Sequence, residues 1–233
     1  MSDGHSELEI QLVRHGESRA NLGPGHEDHL APQDFGDHLI PLTDEGKEQA
    51  RRRGTAIGAE YIRNALVFRS PYTRTRETLD CILEGAGLDP KGIRIFEDPR
   101  LREMEHGFEG DWDTVKEQKE SLREIHGWFF YRYRTGESPA DCYDRVSTFL
   151  ESMMRQMDRK RNQKVLIVSH GLTIRCFVMR FLHLAYEQFD TMANPRNCDV
   201  IRLAAAQSID QPVFTSGNWG VEGLKLRKQD GAD

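Results

Sequence analysis

Two short apolar runs in this chain end in the same pair of residues. Leu8 to Val13, with Glu9 and Gln11 interleaved, breaks into Arg14-His15-Gly16, and Val165-Leu166-Ile167-Val168 breaks into Ser169-His170-Gly171. An unbroken aliphatic run of four is the pattern of a strand covered on both faces, as strands inside parallel sheets are. Open sheets of this kind bind their ligands beyond the carboxyl ends of the strands. A cation, two imidazoles and two glycines stand at two such ends.

The remaining pattern fits that sheet. Thr43 reads as the N-cap of a helix with Asp44 and Glu45 in its first turn, continuing with Ala50, Ile57 and Tyr61 at helical spacing. Ala65–Phe68 reads as a short strand. Ser70-Pro71 reads as an N-cap with proline at the first helical position, opening a helix to about Ala86 with Tyr72, Leu79, Ile82 and Leu83 inward. Ile93–Phe96 reads as a third strand. Ser138 and Asp141 have the form of a capping box before a long helix with Val146, Phe149, Leu150, Met153 and Met157 on one core-facing stripe. Leu172–Leu184 follows as an apolar helix, then a strand near Val200–Leu203 and an irregular tail.

Alternating strands and helices predict an α/β fold, a three-layer sandwich with a mostly parallel central sheet flanked by helices. With no repeat and no low-complexity linker, residues 1–233 read as one domain. Residues 97–137 read as a helical or irregular, cap-like insertion over the site at the strand ends, and 1–6 and 225–233 read as flexible tails.

The net charge of -6 and pI of about 5.9 argue against a nucleic acid or an anionic membrane as partner. The basic triplets Arg51-Arg52-Arg53 and Arg159-Lys160-Arg161 fall in helical patterns and read as solvated faces. No apolar run approaches the length of a membrane span. The polar, acidic first residues carry no signal peptide, and Cys81, Cys142, Cys176 and Cys198 form no C-x-x-C pair. The expectation is a cytoplasmic protein with reduced, buried thiols.

Arg14 alone could be a structural ion pair, and His15 alone a hydrogen-bonded core histidine. Gly16 would let a ligand approach the backbone. The second His-Gly and the segment Ser70-Pro71-Tyr72-Thr73-Arg74 change that balance. Arg14 and Arg74 offer planar forks for phosphate oxygens, and the two imidazoles complete a cage for a dianion. Such a cage also matches a phosphoryl-transfer transition state.

Taken together, "LVRHGES" followed by Arg19-Ala20-Asn21, "SPYTRTRET", "LREMEHG" and "VSHG", in that order from about Leu8 to Leu203, resemble the histidine phosphatase superfamily, also called the phosphoglycerate mutase-like family. The resemblance implies that His15 becomes phosphorylated, that Arg14, Arg74 and His170 bind the phosphoryl group, and that Asn21 touches it. It implies Glu103, in Leu101-Arg102-Glu103, as the general acid. Glu105 and Glu109 lie on the same loop. Glu77 stands where many members have glutamine, at a position read as structural.

Glu17, Arg19, Arg102 and Tyr131 are further candidates for the substrate pocket. The aromatic segment with Trp128, Phe129, Tyr131, Arg132 and Tyr133 either roofs that pocket or forms a small core beneath a loop.

The phosphatase branch is favoured over a phosphoglycerate-type mutase. The phenylalanine-glycine-tryptophan segment of glycolytic mutases is absent after Asn21, and so is their proline-rich stretch after the acidic loop. An inactive phospho-ligand-binding scaffold is the alternative of another class. No cofactor is implied. His26, His29 and His38 lack the H-E-x-x-H spacing of a zinc site. The expected ligands are a small phosphorylated substrate and, in its place, inorganic phosphate, sulfate or vanadate. A homodimer is left open.

Overall fold

The computed structural model describes residues 8–107 and 122–227. Seven strands form one mixed sheet: β1 (Glu9–Arg14), β2 (Ala65–Arg69), β3 (Ile95–Glu97), β4 (Lys164–Ser169), β5 (Val200–Ala205), β6 (Phe214–Ser216) and β7 (Trp219–Glu222). Their order is β3-β2-β4-β1-β5-β7-β6. The first four in that order pair in parallel, and β5, β7 and β6 add antiparallel ladders beside β1.

Side chains alternate across the sheet as the strand period requires. Ile10, Leu12, Leu66, Phe68, Val165 and Ile167 point into one core. Val13, Val67, Leu166 and Val168 point into the other. One helical layer is α2 (Asp44–Ile57), α3 (Ala59–Arg63) and α4 (Thr73–Gly85). The opposite layer is α5 (Pro139–Lys160), α6 (Gly171–Phe181) and α7 (Glu187–Thr191). A single turn, α1 (Pro32–Phe35), lies in the loop after β1.

The Thr43 hydroxyl caps α2 by accepting from the Gly46 N–H. Ser138 and Asp141 form the full capping box of α5, and its expected apolar stripe is buried. All four cysteines are free and buried. No helix among the described residues is long and apolar enough to cross a membrane.

Several sequence expectations are corrected. The helix from Asp44 does not run on to Tyr61: Gly58, at φ 83°, ends α2, and Tyr61 belongs to α3. The helix after β2 begins at Thr73, not Pro71, and Tyr72 lies outside its buried face. The C-terminal part is not irregular, because β6 and β7 form a hairpin about Gly217-Asn218. Residues 225–227, assigned to a tail, are docked: Lys225 O accepts from the Ala193 N–H, and the Arg227 N–H donates to Thr191 O. The remaining tail residues and Glu109 lie outside the described residues.

Helices α2 and α4 pack backbone against backbone. A Cβ on Gly54 would come within 2.0 Å of Ile82 O, and one on Gly85 within 2.0 Å of Arg51 O. Both obstacles are backbone, so neither can swing away. Gly54→Ala gains about 1 kcal/mol in helix propensity but loses about 1–3 kcal/mol or more to overpacking. We expect a net loss of stability, read as a lower urea midpoint with an unchanged slope.

Candidate active site

Parallel pairing of β1 with β4 brings Arg14 opposite Ser169, and the ladder continues one step further, with the His15 N–H donating to Ser169 O at 3.0 Å. On the other side of β4, the Ser70 N–H donates to Val168 O at 3.0 Å. The ends of β1, β4 and β2 therefore deliver His15, His170 and Ser70 side by side. The two imidazole rings lie 5.2 Å apart, edge to face.

Both rings are buried and held by short polar contacts. His15 Nδ1 is 2.7 Å from Gly16 O, so Nδ1 carries the proton and Nε2 keeps its lone pair. His170 Nε2 is 2.9 Å from Ser70 Oγ. His170 Nδ1 is buried without a partner among the described residues. Burial first, then Arg74 and Arg14, push the His15 pKa well below its usual value. Burial, then Arg74 and His15, do the same to His170. Both imidazoles are neutral at ordinary pH.

Arg14 donates from Nη1 to Pro195 O at 2.6 Å, and its Nε is buried without a partner among the described residues. Burial lowers its pKa, while nearby Glu103 opposes that and Arg74 adds to it. Arg74, only 4% exposed, meets Asp37. Its Nη1 donates to Asp37 O (2.6 Å) and Oδ1 (2.9 Å), and its Nη2 to Oδ2 (3.1 Å). Its guanidinium also lies 4.8 Å from the Tyr72 ring centre.

Asn21 Oδ1 accepts from the Ser18 N–H (3.0 Å) and from Asn197 Nδ2 (3.2 Å), and Asn197 also donates to His15 O (3.0 Å).

The loop carrying Glu103 is pinned along its length. Leu101 O accepts from Ser169 Oγ (2.8 Å) and Arg102 O from Thr173 Oγ1 (2.7 Å). The half-buried Glu137 carboxylate accepts from the Glu105 N–H (3.1 Å), from Arg102 and from Arg145. Glu103 Oε1 accepts from the Met104 N–H.

Arg14, His15, Asn21, Arg74 and Glu103 line one cavity of about 490 Å³. The geometry can hold a tetrahedral dianion against a neutral imidazole with a free lone pair and a carboxylate within the same cavity. No group of three or more His, Cys, Asp or Glu that could hold a metal occurs among the described residues.

The other pocket candidates sit elsewhere. Glu17 accepts from Thr43 Oγ1 at 2.8 Å, in the turn before α2. Arg19 joins the loop to Pro41 through its backbone, and Arg102 is turned to Glu137. Tyr131, Phe129 and Tyr133 are buried in the core with α5 and α6, so the aromatic segment is core and not a roof. None of these seven residues, counting Trp128, lines the cavity.

A Cβ on Gly16 would lie 2.4 Å from Gly46 O, so this glycine lets α2 approach the end of β1. Glu77 is structural as expected, accepting from the Leu42 N–H at 2.7 Å.

Asp37, Ser70, Tyr72 and Asn197 were not legible as site residues. Ser70 had a signal, because a hydroxyl at the end of a strand beside the "VLIV" strand can reach a neighbouring strand end. Asp37 had none.

The histidine phosphatase superfamily (branch 1) model matches residues 10–213, and the chain belongs to that family. It is 40% identical over 217 residues to the Phosphoglycerate mutase-like protein AT74H of Arabidopsis thaliana, covering 84% of this chain and 74% of that one. It is 25% identical over 300 residues to the Broad-range acid phosphatase DET1 of Saccharomyces cerevisiae, covering 88% and 87%. The native mycobacterial glucosyl-3-phosphoglycerate phosphatase superposes with a TM-score of 0.69 at 20% identity, covering 93% of this chain and 97% of that one.

The buried histidines make a pH prediction. Their native pKa values lie below the unfolded value of about 6.5, so below that pH the unfolded chain binds protons that the native chain does not. Stability is fully present above pH 6.5 and is lost as pH falls towards the native values. Each histidine contributes up to about 1.4 kcal/mol per pH unit in that window. Urea unfolding between pH 7 and 5 should show this slope, and His170→Asn should reduce it.

Proposed function

We propose that this chain is a phosphomonoester hydrolase that works through a phosphohistidine on His15 and needs no metal. The observation that carries the reading is the state of His15. Its tautomer is fixed by Gly16 O, it is kept neutral by burial and two arginines, and Nε2 is left as a nucleophile.

Nε2 attacks phosphorus, and the bond to the ester oxygen breaks. Glu103 gives its proton to that departing oxygen. In the second half, water attacks the phosphohistidine, its proton passes to the Glu103 carboxylate, and the P–N bond breaks to restore the Nε2 lone pair. Arg14 and Arg74 stabilise the charge on the equatorial oxygens. With Ser70 Oγ as donor to His170 Nε2, Nδ1–H is left as an unspent donor. Asn21, its oxygen occupied by Ser18 and Asn197, has its amide N–H bonds left for the phosphoryl group.

The relative named a broad-range acid phosphatase and neighbours solved with vanadate or phosphate support this reading. Relatives named phosphoglycerate mutase-like keep a mutase as the second reading. What separates hydrolysis from mutation is the acceptor: release of inorganic phosphate from a single ester identifies a phosphatase. An inactive scaffold is separated by the absence of any turnover.

We expect p-nitrophenyl phosphate to be hydrolysed equally with and without EDTA. His15→Ala should abolish turnover and the acid-labile phosphoenzyme. Arg14→Ala should lower kcat/KM about 100-fold or more, which is roughly 3 kcal/mol of transition-state stabilisation. Inhibition by EDTA, or phosphoenzyme trapped in His15→Ala, would overturn the assignment.

The acid is tested by its leaving group. An alkoxide needs a proton to depart and a nitrophenolate does not. In single-turnover phosphorylation, Glu103→Gln should slow alkyl phosphates far more than p-nitrophenyl phosphate, and Glu105→Gln should show no such difference. Equal losses with both substrates would reduce Glu103 to a shape-giving residue.

A further inference from the structure

The cavity wall has an uneven charge inventory. Among the described residues its cations are Arg14 and Arg74, and its carboxylates are Asp37, Glu103 and Glu105. Arg74 is only partly free for an incoming anion. A guanidinium has five N–H bonds, and three on Arg74 already go to Asp37, which turns its carboxylate onto the fork in a bidentate pair.

Asp37 is held there by the fold. The segment before it turns at Gly36 with φ 84°, and Ile40, fully buried, anchors the segment after it. Tyr72, which also lines the cavity, has its hydroxyl pKa pushed up to about 12 by burial and then Asp37, with Glu105 acting in the same sense and Arg74 and Arg102 opposing it. Arg102, next to Glu103 in sequence, does not line the cavity: it donates to Glu137, and its charge reaches the wall only through its effect on Tyr72.

A phosphoryl dianion takes up Arg14 and the remaining donors of Arg74. A second anion on the same substrate, such as a carboxylate, would meet Asp37 and Glu105 with no cation left among the described residues to receive it. Like charges brought together in a partly desolvated cavity repel strongly. A hydroxyl or an ammonium meets acceptors instead, with the rings of Tyr72, His38 and His106 beside it.

We infer that Asp37 is a specificity residue: seated on the Arg74 fork, it restricts the site to phosphate monoesters whose alcohol is neutral or cationic and excludes those bearing a second anion. This rests on the phosphatase reading above, and the test separates the two.

Glycerol 3-phosphate and 3-phosphoglycerate differ by a hydroxymethyl group against a carboxylate, and phosphoethanolamine carries a cation. For the unaltered protein, kcat/KM should favour glycerol 3-phosphate over 3-phosphoglycerate at least tenfold, and phosphoethanolamine should also exceed 3-phosphoglycerate. Asp37→Asn should raise 3-phosphoglycerate relative to glycerol 3-phosphate by about tenfold. Its circular dichroism and melting curve report folding. Equal use of both esters by the unaltered protein overturns the inference without any variant. So does an unmoved ratio in folded Asp37→Asn, which would make Asp37 a buttress for Arg74. If p-nitrophenyl phosphate is not turned over, the phosphatase reading has failed. Titration calorimetry with the same three esters then decides the charge rule by the same tenfold criterion in affinity.

Discussion

The register of two neighbouring parallel strands is the constraint on which the site depends. Arg14 lies opposite Ser169, and the His15 N–H continues the ladder onto Ser169 O. Side chains alternate across a strand, so a slip of one residue would send His15 through the sheet to the other core. That slip is resisted from both faces. Leu12 and Ile167 pack into one core while Val13 and Val168 pack into the other, and all four are at most 1% exposed. The position of the two histidines is thus set by aliphatic packing some distance from them.

Burying two imidazoles and two guanidinium groups at one point is unfavourable unless their N–H groups are met. Backbone carbonyls meet part of this need, and Arg14 Nε and His170 Nδ1 have no partner among the described residues. Gly16 O takes His15, Pro195 O takes Arg14, and Asp37 O shares Arg74. Carbonyl dipoles satisfy donors without bringing the full negative charge that would cancel the cage's attraction for an anion. Glu137, which does not line the cavity, binds Arg102 and Arg145 and fixes the loop of Glu103. Arg74 departs from this arrangement, because Asp37 also gives it a carboxylate.

Much of this fold was legible because burial writes itself into period. The "VLIV" run, the capping box at Ser138 and the stripe from Val146 to Met157 each have one physical reading, and His15 and His170 stand out as polar residues at the ends of buried strands. The failures have equally specific causes. Apolar spacing runs on past Gly58 from Ile57 to Tyr61, so the break is marked by one glycine alone. Gly217-Asn218 is a two-residue hairpin signal, but β6 and β7 have only three and four residues, too few to show a strand period. The aromatics Phe129, Tyr131 and Tyr133 carry polar neighbours such as Arg132 and Arg134, which gave the segment the look of an exposed cover while its alternate rings were core.

The loop after β1 marks the limit of such reading. Residues between Asn21 and Pro41 have no period, and nothing in the local sequence distinguishes Asp37 from Asp28 or Asp34. What distinguishes it is a partner, Arg74, lying 37 positions further along the chain. Arg14, His15 and His170 stand at strand ends, where pattern and position coincide, and so they can be read from sequence. The walls that meet the rest of a substrate come from loops whose contacts are settled only in three dimensions. A chain can therefore declare the reaction it is built for while leaving undeclared which molecules it accepts, and here that second property turns on where one aspartate comes to rest.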